Sequence, residues 1–243
     1  MPFVQGLLTG EQTGQPILTD LHLTGSKLVT IGSLIVVMKQ GWFLNTAQQE
    51  TVTDNLGNSY SLGAYFEGGS PTGDQHEQQI SYAIANATGL LTDIVIHSSG
   101  VGSIAYHETG CSAEFSEVAP PSFTNWAAEY ATAASISSAA VTLLYGLLLY
   151  GAGVGGGPTG VGPTDGDTGG GTNFVPPSGF AVASSHFTSG YASSSFLCYK
   201  YGTLASEVLT SSWDEAGKKA SACHGVGVAL TPGTTQIYRR ITR

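Results

Sequence analysis

Thr51-Val52-Thr53-Asp54-Asn55-Leu56-Gly57-Asn58-Ser59-Tyr60-Ser61-Leu62 sets two alternating runs on either side of an Asp-Asn-Leu-Gly-Asn turn, the pattern of a β-hairpin. Alternation constrains the fold strongly, because only an extended strand sends successive side chains to opposite faces. Further short runs follow, with turn signals recurring about every ten residues, the spacing of stacked antiparallel sheets. The expected fold is all-β, an antiparallel β-sandwich.

Ile17-Leu18-Thr19-Asp20-Leu21-His22-Leu23 alternates within residues 1–27, as an edge strand or an arm laid on another surface would. Leu21 and Leu23 are therefore candidate interface residues. Leu28-Val29-Thr30-Ile31, a Gly32-Ser33 break and Leu34-Ile35-Val36-Val37-Met38 form the first core strand. Its unbroken, β-branched apolar run predicts burial on both faces. Residues 59–66 are the second arm of the hairpin, 79–84 another alternating strand, and 93–97 pairs with 103–108 across Ser-Ser-Gly-Val-Gly.

Residues 135–235 loosely echo 28–115: the apolar run 141–150 stands where 29–38 stood, and 204–213 with 220–230 mirrors the closing pair. Either half alone would expose a hydrophobic sheet face, so the two are expected to pack as one double sheet in a single domain over 28–235. The glycine-dense stretch 151–172 reads as a long surface loop, with Gly155 and Gly156 as interface candidates. Residues 116–134 hold the one candidate helix, with Trp126 and Tyr130 at i and i+4. Residues 236–243 form a basic tail.

Only 10% of residues are charged, against about 25% in an average domain. A surface covered by Ser, Thr, Gly, Asn and Gln suits proteins that pack against copies of themselves, and equally a saccharide binder. The formal net charge is -9 with eight Lys and Arg, and no basic stripe exists to neutralise phosphates, which argues against nucleic acid as a partner. Arg239 and Arg240, in the terminal cluster, are candidates to meet an acidic patch on a neighbour, beside the plainer reading of a solvated tail. The N-terminus lacks the basic and apolar regions of a secretory leader, so synthesis in the cytoplasm is expected. The apolar run 139–152 is shorter than the roughly 20 residues of a membrane-spanning helix, and no membrane span is expected.

Cys111, Cys198 and Cys223 have neither metal-ligand nor framework spacing and read as small buried hydrophobes. The glycines of 151–157 lack the Lys-Ser/Thr ending of a phosphate loop. Asp165 and Asp167 are two residues apart on a glycine loop, a spacing that calcium sites use, but without a downstream chelating Glu. His97, His107, His186 and His224 have Asp93, Glu108 and Ser185 as possible acid–base partners. No nucleophile elbow, zinc helix or paired-carboxylate signature accompanies them, and strand histidines commonly hydrogen-bond across a sheet. Asp54 and Asn58 are explained by turn chemistry, with Gly57 or Asn58 at positive φ. Asn86-Ala87-Thr88 matches a glycosylation sequon. Trp42, Trp126, Trp213 and the tyrosines offer sugar-stacking faces, yet their place beside apolar runs favours core packing.

With the runs 28–37, 52–60, 80–83 and 92–96, the chain resembles jelly-roll-like β-sandwich proteins of phage virions and bacterial surfaces, whose strands read "G-L-V-V", "TD-GN-Y", "Y-A" and "VTV". The match covers 28–110 directly and the remainder through the echo. The resemblance implies a sandwich used for display, adhesion or shell reinforcement, with no catalytic residues to carry over.

The expectation is a non-enzymatic structural protein of a phage virion that self-associates and decorates or cements a capsid, or forms part of a tail or fibre. Its partners would be copies of itself and another shell or tail protein, with no cofactor. The alternative is a carbohydrate-binding or adhesive module at a cell surface, with a glycan as partner. A hydrolase on the same scaffold would need two carboxylates or a His cluster converging in one cleft.

Overall fold

The computed structural model describes residues 3–17, 20–43, 49–69, 75–97, 105–116, 123–131, 135–156, 174–187, 194–212 and 219–229. The first part of the chain supplies β1 (Phe3–Ile17), β2 (Leu21–Val29), β3 (Leu34–Phe43), β4 (Thr51–Asp54), β5 (Ser61–Gly69), β6 (Gln75–Ile84), β7 (Gly89–His97) and β8 (Ala105–Phe115). The second supplies β9 (Phe123–Ala131), β10 (Ser135–Gly156), β11 (Ala181–Phe187), β12 (Ser194–Ser212) and β13 (Lys219–Ala229). Each part forms its own antiparallel sheet, in the orders β4-β7-β2-β1-β8-β3-β6-β5 and β11-β12-β10-β13-β9. The all-β, antiparallel expectation holds.

Strand pairing departs from the local reading in several places. The expected hairpin arms do not pair with each other: β4 pairs with β7, β5 pairs with β6, and they stand at opposite ends of the eight-stranded order. Laid flat, eight strands would hold those ends about 34 Å apart, whereas residues 55–60 can reach at most about 24 Å. The sheet must therefore curl until its edges face each other. β7 and β8 do not pair either: β7 joins β2 and β4, and β8 joins β1 and β3. Within the expected arm or edge strand of residues 1–27, β1 and the start of β2 are neither, since both strands lie in the middle of the sheet.

Two expectations for the second part are also corrected. Trp126 and Tyr130 lie on β9, a strand paired with β13, not on a helix; no helix occurs among the described residues. Gly151 through Gly156 continue β10, pairing with β13 up to Gly156↔Lys219. Packing accounts for glycine here: a Cβ on Gly153 would sit 2.4 Å from Gln40, and one on Gly151 would press Ile80 and Met38 of the first sheet. Residues 157–172 of the expected loop lie outside the described residues.

β3 shows how one strand serves two cores. Leu34, Val36 and Met38 face the second sheet, where they meet Leu147, Leu149, Leu197 and Ala183. Ile35 and Val37 point into the curl, among Leu7, Leu8, Leu21, Leu23, Leu91, Ile94 and Ile96. Each such side chain contributes about 1.5–3 kcal/mol through burial. A third cluster on the far face of the second sheet joins Leu148, Tyr150, Phe196 and Cys198, with Phe174 and Phe180 packed over it.

β1 carries a register shift between Gly6 and Thr9 that lets neighbouring Leu7 and Leu8 both enter the curl. Ser112 supplies what the ladder loses there. Its Oγ accepts from Leu8 N at 2.9 Å and donates to Leu8 O at 2.8 Å. At Gly10 the strands approach so closely that a Cβ would fall 2.0 Å from His22 O.

Candidate functional site

Strand direction alternates along β1–β8, so the last residues of β1, β3, β5 and β7 and the first residues of β2, β4, β6 and β8 share one end of the curl. The interior is apolar at the opposite end and turns polar towards this one. After Ile35 and Val37 the next inward position of β3 is Lys39, between Gln79 of β6 and Gly110 of β8. One step further, Gly41 lies between Glu77 and Glu108. Glu50, just before β4, completes the group.

Lys39 Nζ donates to Glu50 Oε2 and, at 3.2 Å, to Glu77 Oε1. Glu108 Oε1 lies 3.0 Å from the same nitrogen, as an ion pair without hydrogen-bond geometry. No side chain of the four is more than 3% exposed. Glu77 Oε2 and Glu108 Oε2 meet no donor among the described residues. Ionised throughout, this cluster would place three negative charges around one positive charge in a medium that penalises each.

Burial alone would lower the Lys39 pKa, but Glu108, Glu50 and Glu77 outweigh it and hold it well above the usual lysine range. Burial pushes the Glu77 carboxyl up to about 8, against the pull of Lys39 and helped by Glu50 and Glu108. Burial thus favours the protonated form of Glu77. Among the described residues no group of His, Cys, Asp and Glu is arranged to hold a metal, and the three-carboxylate niche is filled by the ammonium.

On the outer face of β2, β7 and β4, His97 Nδ1 lies 2.7 Å from Asp20 Oδ2, and its Nε2 lies 2.8 Å from Thr53 Oγ1. His22 pairs with Asp93 at 3.1 Å, and His186 with Glu11 at 3.2 Å. The Asp20–His97–Thr53 order matches an acid–base–hydroxyl relay. It lies on an open sheet face with Asp20 and His97 each 38% exposed, where water competes for every bond and nothing desolvates the hydroxyl. The contacts of His97 and His22 act as cross-strand pairs, and the His186–Glu11 contact joins the two sheets.

The 54–60 turn closes the apolar end. Asp54 Oδ1 accepts from Leu56 N and Asn58 N at 2.9 and 3.1 Å, and Oδ2 from Asn58 Nδ2 and Tyr60 OH at 2.7 and 2.9 Å. Gly57 takes φ 70°, as turn chemistry predicts. Burial, with Asp54 beside it, raises the Tyr60 pKa far above the usual phenol range. Beyond this turn Leu28 and Leu90 face each other across β2 and β7, 61% and 52% exposed, near Ile31 at 62%.

The residues singled out in the sequence fall as follows. Leu21 and Leu23 are fully buried in the curl and unavailable to a partner. Gly155 and Gly156 lie in a paired strand, while Asp165, Asp167, Arg239, Arg240 and Trp213 lie outside the described residues. His97 meets Asp20 rather than Asp93, and Glu108 meets Lys39 rather than a histidine. The side chains of His107, His224, Trp42, Trp126 and Cys223 also lie outside the description. Cys111 and Cys198 are buried free thiols, and burial pushes Cys111 up to about 12. Asn86 Nδ2 donates to Gly57 O at 3.0 Å, so the sequon asparagine helps bind the turn. The Lys39 cluster went unread, although a lysine at the inward position of a doubly buried strand demands carboxylates nearby.

No protein-family model, curated protein or solved structure matches this chain.

Proposed function

We propose that this chain is a non-enzymatic structural protein that self-associates, and that it serves in a phage virion by decorating or cementing a capsid or forming part of a tail or fibre. The observation that carries the reading is an inverted placement of charge and apolar surface. Lys39 and three glutamates are sealed inside the curl, while Leu28, Ile31 and Leu90 stand exposed together on a chain with 10% charged residues. Exposed apolar side chains on such a surface suit contact with another chain. The described aromatic pairs, Phe3–Tyr199 at 4.9 Å and Phe174–Phe196 at 3.8 Å, stack on each other within the cores, which weighs against a sugar-stacking platform.

Sedimentation velocity over a wide concentration range tests the reading. Oligomers that dissociate in a Leu28→Asp/Leu90→Asp variant, together with retention on virion shells, are expected. A monomer at high concentration that passes shells without binding would overturn it.

A further inference from the structure

We infer that Lys39 and Glu50 join in an intramolecular amide, a covalent staple that the folded chain makes across the interior of its own curled sheet. The inference does not rest on the self-association reading.

Amide formation between an amine and a carboxyl needs the two in contact, a route for protons, and shelter from bulk water. Lys39 Nζ is hydrogen-bonded to Glu50 Oε2. Two further carboxyls, Glu77 and Glu108, lie 3.2 and 3.0 Å from the same nitrogen, and the whole group is buried. Glu77 keeps its proton to about pH 8. The main chain of Glu50 is clamped from both sides by the Gln79 side chain, which holds the acceptor in place.

The step balances without any co-reactant. Lys39, as an ammonium, passes one proton to Glu108, and the freed lone pair on Nζ attacks Glu50 Cδ. Glu77 protonates a Glu50 oxygen as the Cδ–N bond forms. Nζ then returns a proton to Glu77, Glu108 hands the proton it took to the same Glu50 oxygen, and that Cδ–O bond breaks so that the oxygen leaves as water. Ammonium and carboxylate become amide and water, and both relay carboxyls end as they began. The product removes one cation and one anion from an interior that penalises both. It also ties the inner strand β3 to the lead-in of edge strand β4. Cys111 and Cys198, both unpaired, provide no such staple.

Intact-mass spectrometry of the full folded chain tests this directly. The wild type is expected to be lighter than its sequence by one water, and pepsin digestion should yield one joined peptide pair containing residues 39 and 50. Lys39→Met and Glu50→Ala should show their full sequence masses. Glu77→Gln keeps the shape but not the acid proton, and should leave most chains unlinked. A wild type at full mass, or a lost water carried by any pair other than Lys39 and Glu50, overturns the inference. Complete linkage in Glu77→Gln overturns the proton route. The wild-type measurement stands even if a variant fails to fold, and it reads one chain's mass, whereas sedimentation reads the number of chains.

Discussion

Gln79 grips the main chain of Glu50 at both of its polar groups: Oε1 accepts from Glu50 N at 2.9 Å and Nε2 donates to Glu50 O at 2.8 Å. A side chain of β6 thus does the work of strand pairing where the curled sheet brings the β4 edge round. Gln79→Leu would remove both of these bonds from a buried main chain, and is expected to cost about 2–4 kcal/mol. Urea unfolding checks it; an unchanged midpoint would mean that the seam is held elsewhere.

Asp54 collects four donors within six residues of itself. Asp54→Ala is expected to destabilise by about 2–4 kcal/mol, and Tyr60→Phe, which removes one of those donors, by about 1 kcal/mol. Gly57→Ala forces a Cβ into the left-handed region at a cost of about 1–2 kcal/mol. Thermal unfolding of the three variants should reproduce that order, and a Tyr60→Phe effect as large as Asp54→Ala would contradict it.

Glu77 makes stability depend on pH. Its folded pKa of about 8 exceeds the ordinary value of 4.5, so between these values the folded chain binds more protons than the unfolded one. Stability is then greatest below the lower value and falls as pH rises through the window, by at most about 1.4 kcal/mol per pH unit. The sign survives loss of the Lys39 charge, since that charge only lowers the Glu77 pKa. Urea midpoints at pH 5, 6.5 and 8 should decline in the wild type and flatten in Glu77→Gln; a wild-type midpoint that rises with pH would refute the assignment.

Ser112 stands in for the ladder at the β1 irregularity by bonding both polar groups of Leu8. Ser112→Ala is expected to cost about 1–3 kcal/mol and to raise amide exchange at Leu8. Hydrogen exchange that leaves Leu8 fully protected would show that the serine is dispensable.

Some of this architecture is legible locally. The run Leu34 to Met38 announces a strand buried on both faces, and each of its side chains is at most 1% exposed. The Asp54 turn is equally legible, because its chemistry lies within seven consecutive residues. Trp126 and Tyr130 mislead, since a spacing of four fits one face of a helix and one face of a strand equally well. Gly151 and Gly153 read as loop because what a Cβ there would crowd is Ile80, Met38 and Gln40, all distant in sequence.

By itself the sequence determined the extended conformation, most strand positions, the sharp turn at Gly57 and the scarcity of surface charge, all properties of neighbouring residues. Tertiary structure alone decided that Thr51–Asp54 and Ser61–Gly69 stand at opposite sheet ends, and that Lys39, Glu50, Glu77 and Glu108 converge. The physical reason is that a strand's hydrogen-bonding edges are chemically alike whatever its sequence. Partner choice follows from which faces can be buried together, and that is settled only when the whole sheet closes.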